Sequence, residues 1–105
     1  MSAEVCFKDE FSVLGVEPPV RIELRVSGAE QQPTGAFRCR YDVLEQPSGR
    51  LVSAQRNVYG ETSLQALLLC IVVGATEVDV AIRDAGGRPD PDEWSTIGRL
   101  VRRPV

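Results

Sequence analysis

From Val20 to Val26 the chain alternates strictly. Val20, Ile22, Leu24 and Val26 share one parity, and Arg21, Glu23 and Arg25 the other. Successive side chains leave a strand on opposite faces, so this period of two predicts a strand with one buried and one wet face. Residues 36–45 repeat it, with Phe37, Cys39, Tyr41 and Val43 facing inward and Arg38, Arg40 and Asp42 outward. Residues 5–13 form a rougher strand, in which Val5, Phe7, Phe11 and Val13 are in phase and Asp9 interrupts. Residues 51–59 supply a fourth strand with weaker alternation. The breaks fall at Gly15–Pro19, at Gly28–Gly35 and at Pro47-Ser48-Gly49-Arg50, where turn residues concentrate. Four strands joined by short links predict an antiparallel meander. One apolar sheet face then requires a helix to cover it.

The helix is expected after Gly60. Thr62 is a suitable N-cap, and Gln65 three residues on completes a capping box. Leu64, Leu67, Leu68, Ile71, Ala75, Val78 and Ile82 follow at helical spacing. Gly86-Gly87 and Pro89 stop the element. The pattern predicts one helix over about residues 63–85. A competing reading breaks it at Gly74 and makes Val78–Ile82 a fifth strand; the continuous stripe favours the single helix.

This helix carries a second apolar stripe through Ala66, Leu69, Val73 and Val80. No charged side chain lies between Leu64 and Val73, and Gln65 is the one clear polar group there. A surface helix ordinarily has one apolar stripe and one wet face. A sheet covers only one stripe, so the other needs the rest of the chain or another molecule. The tail is a candidate. Asp90 is a suitable cap, Pro91 fits the first helical position, Glu93 follows three residues after the cap, and Trp94, Ile97, Leu100 and Val101 share a face. A short helix or turn is expected at about 91–101. The expected fold is α+β: a four-stranded antiparallel meander (about 5–13, 20–27, 36–45, 51–59), the long helix on one face, and this C-terminal element. With 105 residues it forms a single domain.

The order Phe37-x-Cys39-x-Tyr41 on a strand, a spacer, Gly60-Glu61-Thr62-Ser63-Leu64-Gln65-Ala66-Leu67 opening a helix, and a tryptophan tail resembles a family of short bacterial proteins of unknown function. There the comparable segment is Gly, any residue, Asp, Ser, then Leu-Gln-Ala-Leu, and Thr62 stands here in place of the acidic cap. The resemblance covers the middle third of the chain. It implies a meander-plus-helix fold and a bacterial source, and carries over no catalytic or binding residues.

Composition narrows the chemistry. The chain has no histidine, which removes Ser-His-Asp and Cys-His machinery and most catalytic zinc sites. Cys6, Cys39 and Cys70 are odd in number and widely spaced, so neither a disulfide framework nor a metal-ligand pattern emerges. Cys39 lies between two arginines, yet strand parity sends it into the core and them to water, so no activated thiol is expected. The acids Asp90, Asp92 and Glu93 read as helix capping rather than a metal site. Gly86-Gly87-Arg88 follows a helix, so its amides form no phosphate cradle. Nothing resembles a cofactor motif or a nucleophile with its base, and the expected protein is not an enzyme and has no cofactor.

Two surfaces remain. The second helical stripe (Ala66, Leu69, Val73, Val80) is the candidate interaction surface, for another protein or for a second copy in a homodimer with a small-ligand pocket. Arg21, Arg25, Arg38 and Arg40 form a candidate basic face. A net charge of −3 and the core-facing parity of Phe37 and Tyr41 argue against nucleic acid there. Cross-strand ion pairs are the simpler reading of that face. The longest apolar run is about a dozen residues, short of the ~20 that span a bilayer. The opening residues hold charges where a signal peptide would be apolar. A cytoplasmic protein-interaction module without membrane contact is therefore the expectation.

Overall fold

The structure, a computed structural model, describes residues 5–90, and for Val5, Cys6, Ala54 and Gln55 only the backbone. The helix or turn expected at 91–101 lies outside the described residues. The strands are β1 (Val5–Leu14), β2 (Val20–Ser27), β3 (Glu30–Gln31), β4 (Phe37–Gln46), β5 (Arg50–Gly60) and β6 (Arg88–Pro89), with the helix α1 (Ser63–Asp84) between the last two. All belong to one antiparallel sheet. β1 pairs β2, β2 pairs β4 and β4 pairs β5, which is the expected meander. Two short strands extend it: β3 against the start of β4, and β6 against Val13 and Leu14 of β1.

The register bears out the alternation. Phe11 lies opposite Ile22, Leu24 opposite Val43, and Val26 opposite Tyr41; all six are buried. β5 meets β4 through two register shifts, one between Tyr41 and Val43 and one between Val43 and Leu44. Its weak alternation in sequence has that cause, since each extra residue reverses the parity of the strand beyond it.

α1 is continuous through Gly74 and Val78–Ile82, so no strand forms there. Thr62 caps it by accepting from the Gln65 amide at 3.0 Å. The Gln65 side chain reaches back to the Glu61 amide at 2.6 Å, one residue before the position a regular capping box uses. The helix ends at Asp84, and Gly86 just past the Ala85 cap has a φ of +86°.

Its rotation on the sheet differs from the expected one. Ala75, Val78 and Ile82 of the expected core stripe are buried and Leu67 and Ile71 pack against the core, but Leu64 and Leu68 are exposed, and Ala66, Cys70, Gly74 and Ala81 are buried instead. Ala66, assigned to the outer stripe, is fully buried. The sheet offers large side chains, Phe11, Ile22, Leu24 and Tyr41, so the helix seats on its small ones. A Cβ on Gly74 would lie 2.7 Å from Leu24 Cδ1, and one on Gly60 would lie 2.5 Å from the Ala66 amide nitrogen. Backbone this close leaves no room for a leucine at either contact. Volume complementarity sets the rotation, not the position of the largest residues.

Candidate functional site

With α1 turned this way, its outward face is apolar. Leu64, Leu68, Leu69, Val72, Val73 and Val80 are between 38% and 63% exposed. Of the four predicted surface residues, Leu69, Val73 and Val80 lie here and Ala66 does not. Thr76 falls among them, and its hydroxyl donates to the Val72 carbonyl at 3.0 Å, which satisfies it within the helix. From Ser63 to Thr76 no charge interrupts this surface. By length and composition alone α1 could cross a membrane, with a mean hydropathy of 1.9 over its most apolar window, 39% of which is buried in the fold. A core helix meets the same criteria, and the Ala66–Ile82 row is committed to the sheet.

On the flank of α1 toward β5 the surface becomes polar. Glu77 lies one heptad beyond Cys70 and so faces the sheet. It accepts from the Ser53 hydroxyl at 3.0 Å and pairs with Arg56 at 3.2 Å. Its carboxylate also acts on the buried Tyr41 hydroxyl. Burial first, and the Glu77 carboxylate second, push the Tyr41 phenol well above its ordinary value. One helical acid thus fastens α1 to β5 and sets a carboxylate toward Tyr41 of β4. Beside it a cleft of about 220 Å³ opens between Val52 and Ser53 on one side and Val80 and Asp84 on the other. Of its two carboxylates, Glu77 is already held by Ser53 and Arg56, which leaves Asp84 alone at the mouth. The sequence signal for this tie was a lone acid at a sheet-facing position of an apolar helix, which requires a partner.

The opposite face of the sheet carries the four predicted arginines. Arg21 bonds the Ser12 hydroxyl at 2.8 Å and pairs with Glu10 at 3.4 Å. Arg25 is paired with Glu23, and Arg38 with Glu30 at 3.3 Å. Arg40 joins Arg25 in acting electrostatically on the Asp42 carboxylate. Glu23, on the wet parity, is only 2% exposed, with Arg25 and Lys8 paired to it. The arginines are thus interleaved with acids, so a polyanion would have to displace those pairs. Asp42 Oδ1 is buried without a hydrogen-bond partner. Desolvation raises the Asp42 pKa, partly opposed by Arg25 and Arg40. A raised acid pKa makes the ionised form unfavourable in the fold, so this group's contribution to stability is full below 3.8 and is lost as pH rises. Asp42→Asn should therefore be more stable than the parent at pH 7, and the gain should vanish below the ordinary carboxylate pKa of 3.8. Urea denaturation at the two pH values checks this; an equal gain at both would remove ionisation as its cause.

Cys39 is placed as strand parity required. Cys39 is buried with its Sγ donating to the Ser27 carbonyl at 3.0 Å, and Cys70 is buried on the sheet-facing side of α1. Among the described residues no group of three His, Cys, Asp or Glu side chains could hold a metal ion.

No family model, no curated protein and no solved structure matches this chain.

Proposed function

We propose that this protein is a protein-interaction module whose docking surface is the outward face of α1, centred on Leu69, Val72, Val73 and Val80. One observation carries the reading: six large apolar side chains are exposed together on one helix. Scattered single residues of this kind are normal on a surface, but a contiguous apolar face on a small domain marks a contact site. A helix presenting apolar residues at such spacing fits a groove or another helix.

Leu69→Asp tests it. Leu69 is exposed, so the variant should keep its helical circular dichroism and lose no more than about 0.5 kcal/mol, as surface substitutions do. It should also lose the binding that the wild type shows through this face, whether to a second copy in solution or to a protein retained from lysate. A variant that unfolds would show that the chain itself covers the face, and a partner retained equally by both would place docking elsewhere.

A further inference from the structure

On that reading, the occupant of the α1 face can be named from its spacing and its charge. Leu69, Val73, Thr76 and Val80 are separated by four, three and four residues. That is the spacing of the inner positions of a two-helix seam. Thr76 belongs to it because its hydroxyl is turned back onto Val72. The charges bordering the seam are satisfied within the chain: Glu77 by Ser53 and Arg56, and Asp79 by Arg83 at 3.2 Å. A charged partner would find little to pair with, whereas a neutral apolar helix fits. The first turn of α1 contains no acid, while Asp84 at the other end is exposed.

We infer that a second copy of this chain occupies the face, with the two α1 helices antiparallel across a two-fold axis between Val73 and Thr76. This register sets Leu69 against Val80 of the second copy and Val73 against its Thr76. It also sets Gln65, in the first turn, opposite the second copy's Asp84. The carboxylate then meets the positive end of the helix dipole twice, once at each end of the seam. A two-fold contact needs one surface complementary to itself, and this one is. Leu68 stays outside the seam: it lies one and two heptads before the sheet-facing Ala75 and Ile82, on the opposite flank. The seam is about 16 Å long at 1.5 Å per residue. A contact carried by one helix over that length is small beside the ~800 Å² per partner of a standard interface, so the dimer is weak, with a dissociation constant of roughly 10–100 μM.

Sedimentation of the full chain between roughly 5 and 500 μM brackets that constant. The average mass should climb from 11.5 kDa toward twice that value. Val73→Glu should remain at 11.5 kDa throughout with unchanged circular dichroism. Leu68→Glu, which removes as much apolar surface off the seam, should associate like the wild type. A wild type monomeric at the highest concentration, with Val73→Glu folded, would overturn the second copy and leave the face to a different partner. Association lost equally in Leu68→Glu would overturn the seam. If Val73→Glu unfolds, Thr76→Glu takes its place, and unfolding of both would show a face covered from within, which sinks the dimer and the interaction module together.

Discussion

Gly74→Val should lower stability by about 3 kcal/mol, against a total of roughly 5–10 kcal/mol for a domain of this size. Gly74 sits at mid-helix, where glycine ordinarily costs about 1 kcal/mol relative to alanine. Helix propensity alone therefore favours replacing it. Space decides otherwise. Its Cβ position is 2.7 Å from Leu24 Cδ1 and 3.5 Å from Tyr41 Cδ2, and both of those residues are buried. Leu24 is fully buried, with Val43 opposite it on the next strand, so its side chain can yield only by repacking the core. Valine adds the Cβ and two further methyl groups at this contact, so α1 must lift from the sheet. Gly74→Ala separates the two effects: its propensity gain of about 1 kcal/mol is set against one clashing methyl, and the net change should be small. Thermal melts of the two variants check this, with a fall of roughly 15 °C for valine and a few degrees at most for alanine. A valine variant melting with the parent would mean that α1 is not seated on Leu24. The rotation that exposes Leu69 and Val73 would fall with it.

That rotation is where the sequence was least legible. Strand parity was readable because one side of each strand is apolar and the other charged, and the register follows it residue for residue from Phe11–Ile22 to Val26–Tyr41. The helix ends were readable because Thr62, Gln65 and Gly86 act locally. Which face of the helix is buried is not local. Counting large apolar residues favoured Leu64 and Leu68, but the helix packs through Ala66, Cys70 and Gly74 because the opposing sheet supplies the volume. Only knowledge of both surfaces decides that. The two-residue strands Glu30–Gln31 and Arg88–Pro89 have no period to detect. On the outward sheet face, parity placed all four arginines correctly. It could not foresee that Glu23 would be enclosed among their side chains, because that depends on which strands are neighbours. The outer apolar stripe was visible as an uncharged stretch; its composition, without Ala66 and with Val72, needed the rotation.

Glu77→Ala should cost about 2 kcal/mol and should do so through Tyr41 rather than through Arg56. The ion pair with Arg56 is half in water, with the arginine side chain 61% exposed, and such pairs contribute little. The Tyr41 hydroxyl is different: Tyr41 is 2% exposed and the Glu77 carboxylate is the acceptor that acts on it, so deletion removes the polar neighbour of a buried donor. Glu77→Gln keeps an oxygen acceptor for Tyr41 and Ser53 and removes only the charge, so it should cost less than half as much. The pH dependence tests the same tie independently. Tyr41 ionises near 10.0 when unfolded and well above that in the fold, chiefly through burial and secondarily through Glu77. Above pH 10.0 the unfolded chain loses a proton that the folded chain keeps. The contribution is therefore complete below that pH and declines as pH rises, by at most about 1.4 kcal/mol per unit. Tyr41→Phe should flatten this alkaline decline. Glu77→Gln should keep most of it, because burial, the larger cause, is unchanged. Denaturant titrations at several pH values above neutrality read both effects. A Tyr41→Phe variant whose alkaline limb matches the wild type would show that the phenol is not held protonated in the fold, and Glu77 would then join α1 to β5 alone.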